Sequence, residues 1–145
     1  MSVASTILDN LVAKLISIQK SSSYSIDVKR VERFNIPSEG ETELQPSISV
    51  LPGEDRIVLR DSTNVRKYFD IELFVYLAKY TDLEEKLHEL IDDIYIIIYA
   101  PIDLGSNCMA VEILNTTDMF TSNEMKDAGA IVNIRVIYYA SLAAF

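Results

Sequence analysis

The chain has 145 residues, 49% of them hydrophobic, and a formal net charge of −9. That length accommodates one domain burying roughly 70% of the surface its unfolded form exposes, with no disulfide or metal staple required. The acidic balance, with six basic against fourteen acidic residues between 61 and 145, argues against tight phosphate-backbone binding, which needs clustered Lys and Arg.

Cys108 is the only cysteine, so no intramolecular disulfide can form. Residues 1–8 lack a basic segment followed by an apolar run, the pattern of a secretory signal. The longest apolar run, near Ile94–Ile102, falls far short of the ~18 residues of a membrane span. The expectation is a soluble, intracellular protein with no membrane partner, organised as one domain over residues 1–145.

In chain order, Ile7, Leu8, Leu11, Val12, Leu15, Ile16 and Ile18 form a helical stripe over residues 5–19, with Ser5 or Thr6 as the expected N-cap. Ser21–Ser23 break it. Residues 26–34 read as a strand near a sheet edge, because Lys29, Arg30 and Arg33 interleave with Val28, Val31 and Phe34. Residues 35–45 read as a polar, acidic loop. A short strand over 46–51 is then expected to reverse at Pro52-Gly53-Glu54-Asp55, since proline presets one turn dihedral and glycine permits a positive one. Arg56–Arg60 would return as the second arm of a protruding hairpin.

The most strongly patterned stretch follows. Phe69, Ile71, Leu73, Val75 and Leu77 alternate with Tyr68, Asp70, Glu72, Phe74 and Tyr76, so a strand here has one apolar face and one mixed face. The period then changes: Leu83, Leu87, Leu90, Ile91, Ile94 and Ile98 make a helical stripe. Thr81 and Glu84 have the spacing of a capping box, and Pro101 would close the helix. Residues 109–115 read as a strand with Val111 and Ile113 on one side, 116–128 as irregular, and 130–140 as a final strand burying Val132, Ile134, Val136 and Tyr138.

Catalytic chemistry finds little footing. His88 lies among Glu84, Glu85, Glu89 and Asp92, where a divalent ion could bind, but a solvated helix face is the favoured reading. Asp70 and Glu72 share a strand face, and with a third acid they could hold the metal of a carboxylate-dependent nuclease. Without that acid they mark a wet face. Cys108 has no neighbouring base to activate it. No phosphate loop, nucleophile elbow or metal-spaced cysteine set is present, so no cofactor and no enzymatic activity are expected. Tyr95, Tyr99, Tyr138 and Tyr139 suit core borders or interface anchors equally.

The layout resembles the tail terminator, or tail completion, proteins of long-tailed bacteriophages. The likeness covers nearly the whole chain: the N-terminal helix, Pro46-Ser47-Ile48-Ser49-Val50, the strand Tyr68–Leu77, the helix from Asp82-Leu83-Glu84-Glu85, the strand 110–115, and the ending Ile131–Tyr139. The Tyr95-Ile96-Ile97-Ile98-Tyr99 segment departs from it, being β-rich for a helix end. The resemblance implies an α+β subunit, with a largely antiparallel sheet and an N-terminal and a central helix packed on one face. It also implies a hexameric ring on the head-proximal end of the tail tube, where it ends tube growth and joins the head. Its partners would be other copies, the tail tube protein and head-tail connector or neck proteins; the virion would be its location, after assembly in the host cytoplasm. A head-side neck or completion protein is the alternative within the same biology. Pro52, Gly53, Glu54 and Asp55 are the expected ring or tube contact. Six copies would carry −54 (6 × −9), so any part lining a channel would repel genomic DNA and let it pass without specific binding.

Overall fold

The computed structural model describes residues 2–34, 45–78, 80–100, 104–121 and 127–141. Helix α1 (Val3–Ile16) begins earlier than expected. Its N-cap is Ser2, whose hydroxyl accepts the Ser5 N–H at 3.0 Å, while Ser5 and Thr6 lie inside the first turn. A residue three positions upstream already satisfies that orphan donor, so neither Ser5 nor Thr6 is needed as the cap. Ile7, Leu8, Leu11 and Leu15 are buried, and a 3₁₀ turn at Lys20–Ser22 occupies the serine-rich break.

Strand β1 (Arg30–Arg33) is shorter than the expected 26–34 and pairs in parallel with Ser47–Val50 of β2 (Ser47–Arg60). The expected loop at 35–45 lies outside the described residues, apart from Gln45. The expected hairpin at Pro52–Asp55 does not form. β2 continues through these four residues, which sit at a bulge where its register with β3 (Asn64–Ala78) slips between Pro52 and Asp55. The reason is local. β1 pairs only as far as Val50, so among the described residues β2 has no partner on that side from Leu51 onward, a place where a strand tolerates proline. Glycine fits because a Cβ at position 53 would lie 3.1 Å from the Asp70 carbonyl oxygen. The true reversal is at Asp61–Thr63, where Asp61 Oδ1 accepts the Thr63 and Asn64 N–H groups at 2.8 and 2.6 Å. Those bonds favour the carboxylate and lower its pKa.

Helix α2 (Leu83–Tyr99) buries every residue of the expected stripe and runs through the β-rich Tyr95–Tyr99 segment to a C-cap at Ala100. Its N-cap is Asp82, with no side-chain capping bond, so the Thr81–Glu84 capping box is not made. Pro101 lies outside the described residues. Strand β4 (Cys108–Thr121) extends six residues beyond the expected end at 115, and β5 (Asp127–Ser141) contains the expected final strand.

The fold is α+β. The five described strands lie in the order β1-β2-β3-β5-β4, antiparallel except for β1 with β2. Both helices contribute to one buried cluster with Ile48, Val50, Leu73, Val75, Ile134 and Val136 from the sheet face they cover. On the opposite face, Phe120 stands in register with Gly129. A Cβ at Gly129 would meet Phe120 Cε1 at 2.6 Å and the Val75 carbonyl oxygen at 2.9 Å. The phenyl ring can swing away, but the neighbouring strand cannot. Gly129→Ala is therefore expected to cost about 1–3 kcal/mol of stability, read as a lower urea midpoint.

Candidate functional site

The bulge at Pro52–Asp55 is a junction between the two sheet faces. Its last residue, Asp55, pairs in register with Phe69 and so points to the helix-covered face. There Asp55 Oδ2 accepts the Tyr138 hydroxyl at 2.7 Å and lies 3.0 Å from Lys67 Nζ, which also stands 5.6 Å from the centre of the Tyr138 ring. Burial, followed by the Asp55 hydrogen bond, drives the Tyr138 phenol well above its ordinary range, so it remains a protonated donor. Phe69 meets the Tyr138 ring edge-on. Of the four tyrosines singled out in the sequence, Tyr138 is thus a core residue. Tyr95 is half-buried and shares a hydrogen bond with Thr116, while Tyr99 and Tyr139 are exposed.

On the uncovered face, Glu54 and Arg56 flank a cluster built on Asp70. Arg135 reaches the Asp70 carboxylate with two nitrogens at 2.7 and 3.3 Å, and Arg56 Nη1 lies 3.6 Å away. The two guanidiniums stand 4.8 and 5.5 Å from the centre of the Tyr68 ring. Asp70 raises the pKa of Arg135, chiefly through the hydrogen bond. Next to this cluster, Gly53, Glu54, Glu72, Leu114, Asn115 and Asn133 line a shallow groove of about 300 Å³. Asn133 Nδ2 donates to Asn115 Oδ1 and Thr117 Oγ1 across the strands.

Asp70 and Glu72 share the uncovered sheet face. Asp70 faces arginines instead of a third acid, and among the described residues no group of three His, Cys, Asp or Glu side chains is placed to hold a metal ion. His88 is exposed on α2, in an open cleft lined by Thr81–Glu85. Of the basic residues interleaved in 26–34, Arg30 pairs with Glu32 at 2.6 Å and Arg33 with Asp9 of α1 at 2.8 Å. Cys108 is half-buried and donates to the Ala110 carbonyl. No described helix is long and apolar enough to cross a membrane.

Sequence reading did not anticipate where exposed apolar side chains gather. Ile57, Val58 and Leu59 are exposed on the open part of β2, and Met109, Leu114, Met119 and Phe120 on β4. These two strands lie on opposite sides of the central pair β3 and β5. A signal was present in the adjacent apolar pairs of strands that otherwise alternate, Ile57-Val58 and Ile113-Leu114.

No protein-family model matches the chain, and no curated protein matches it. Among solved structures, the chain is similar to one from the virion of a native gene transfer agent particle. That chain is 10% identical, with 76% of this chain and 78% of the other covered at a TM-score of 0.46. A likeness at that level assigns neither family nor role.

Proposed function

We propose that this chain is a structural subunit of a phage-like virion, of the tail-terminator kind. In this reading it forms a hexameric ring that caps the head-proximal end of the tail tube, ends tube polymerisation and presents a joint to the neck of the head. It acts by assembly and not by catalysis. The observation that carries the reading is the cluster of exposed apolar side chains on β2 and β4, the strands on either side of the central pair β3 and β5. A subunit that exposes apolar side chains on two different strands can use them for head-to-tail contacts, and such contacts make closed rings when the rotation closes. The sequence resemblance to tail terminators supplies the kind of ring. The salt-bridged Asp70 cluster and the acidic surface suit a wall along which a duplex slides without adhering.

Light scattering over a range of protein concentrations, followed by sedimentation with purified tail tubes, tests this. The expected result is a particle of six 16.4 kDa chains, about 98 kDa, that binds tube ends. A chain that remains monomeric throughout and does not bind tubes overturns the reading. Capture of portal or connector subunits in place of tube would move the ring to the head side.

A further inference from the structure

Strand β2 changes register with β3 twice, and the segment between the two slips is turned over. Pro52 opposes Ile71, Asp55 opposes Phe69, Ile57 opposes Lys67, and Leu59 opposes Arg66. Each slip takes one extra residue into β2, the first between Pro52 and Asp55 and the second between Ile57 and Leu59. One extra residue exchanges the faces of a strand, and a second exchanges them back. Pro52 and Arg60, opposite the core residues Ile71 and Val65, thus lie on the helix side. Between the slips it is Asp55 and Ile57 that take this side, and Arg56 takes the uncovered face. If the pairing of Pro52 with Ile71 continued without a slip, Asp55 would oppose Tyr68, Arg56 would oppose Lys67 and Ile57 would oppose Arg66.

Apolar burial does not account for the reversal, since Ile57 is still 53% exposed on the side it takes. Charge does. On the helix side Asp55 Oδ2 holds the Tyr138 hydroxyl at 2.7 Å and Lys67 Nζ at 3.0 Å. On the uncovered face Arg56 Nη1 lies 3.6 Å from Asp70 Oδ2, and its guanidinium stands 5.5 Å from the centre of the Tyr68 ring. The uninterrupted register would set Arg56 opposite Lys67, whose side chain is only 14% exposed, and would bring Asp55 to the face that carries Asp70. Like charges directly opposite one another destabilise a sheet. We propose that Asp55–Ile57 is a charge-selected reversal: two charged contacts, one on each face, decide which way this part of β2 turns, and the bulges follow from that choice. Exchange of the two charges selects the uninterrupted register, and the two extra residues pass to the turn at Asp61–Thr63. The choice decides whether the uncovered face shows the Arg56 guanidinium or the Ile57 side chain.

A double-mutant cycle on the full chain tests this. Asp55→Arg alone sets a cation beside Lys67 in the observed register and leaves Arg56 opposite Lys67 in the other. Arg56→Asp alone sets an acid beside Asp70 in the observed register and leaves Asp55 on the face of Asp70 in the other. Each single exchange is therefore expected to lower the urea midpoint. Together they are expected to recover more than half of the summed loss, because the uninterrupted register then places an acid opposite Lys67 and an arginine opposite Tyr68. Register is read separately by intramolecular disulfides on a Cys108→Ser background. In the parent chain Leu59→Cys with Arg66→Cys closes, and Ile57→Cys with Arg66→Cys does not, since residues 57 and 66 point to opposite faces. In the doubly exchanged chain the 57–66 pair is expected to close and the 59–66 pair to stay open. A double exchange that fails to fold, that loses as much as the two single losses added, or that keeps the parent's disulfide pattern overturns the proposal. None of these readings depends on the number of copies in the assembly.

Discussion

Asp93→Ala is expected to destabilise the protein by about 3 kcal/mol, lowering its melting temperature by about 10 °C. Asp93 is only 2% exposed and lies on the apolar side of α2 among Leu90, Ile94 and Ile97. Its Oδ2 accepts the Ser25 N–H at 2.9 Å and the Ile26 N–H at 3.1 Å. It thereby ties the central helix to the segment between α1 and β1. Truncation leaves two donors without that acceptor in a site poor in water, which accounts for the size of the effect. Burial raises the Asp93 pKa, and the two backbone bonds only partly offset it. A carboxyl raised in the fold contributes stability that is complete below its unfolded pKa, near 3.9, and lost as pH rises through the folded value. The deficit of Asp93→Asn relative to the unmodified chain should therefore narrow as pH rises from about 4. Urea unfolding at a series of pH values checks this, and a widening deficit would contradict it.

Asp55→Ala is expected to cost about 2 kcal/mol, because it removes a charged acceptor from the buried Tyr138 hydroxyl and from Lys67 together. Tyr138→Phe should cost less, since it removes the donor along with its need for a partner. The pH dependence separates the two roles. Tyr138 is raised in the fold, so its contribution is complete below the unfolded phenol value, near 10, and lost above it. The unmodified chain should lose stability above pH 10 more steeply than Tyr138→Phe. Unfolding curves between pH 8 and 11 read this directly, and parallel slopes would show that Tyr138 does not titrate with unfolding.

The elements that sequence made legible are those whose periodicity runs uninterrupted. In β3 every odd residue from Phe69 to Leu77 is buried, and the alternation of β5 from Val132 to Tyr138 is equally regular. β4 shows how the signal is lost. Register with β5 turns Cys108, Val111, Ile113, Thr116 and Thr121 toward the helices, at spacings of three, two, three and five. Three slips in one strand erase a period of two, so 116–121 reads as irregular although it is paired. Proline and glycine at 52 and 53 misled for a related reason. They serve a bulge and a turn equally well, and only the pairing partner, Asp70 beneath Gly53, tells them apart. Asp93 was hidden because an acid on a helix reads as solvated unless the segment that covers it is known. The Asp70–Arg135 pair joins residues 65 positions apart, a separation no local pattern encodes. The apolar bulges were visible as breaks in alternation, but their exposure depends on which strands have neighbours.

The last described strand is not at the edge of the sheet. β5 lies between β3 and β4, contacting residues that precede it by roughly 50 to 75 positions along β3. During synthesis, β2 and β3 can form their local hairpin early, but β4 has no place to dock until β5 emerges from the ribosome. Until β5 is made, the chain is left as a half-sheet with part of its apolar face open. Completion of the fold therefore waits on β5, the strand through which β4 joins the rest of the sheet.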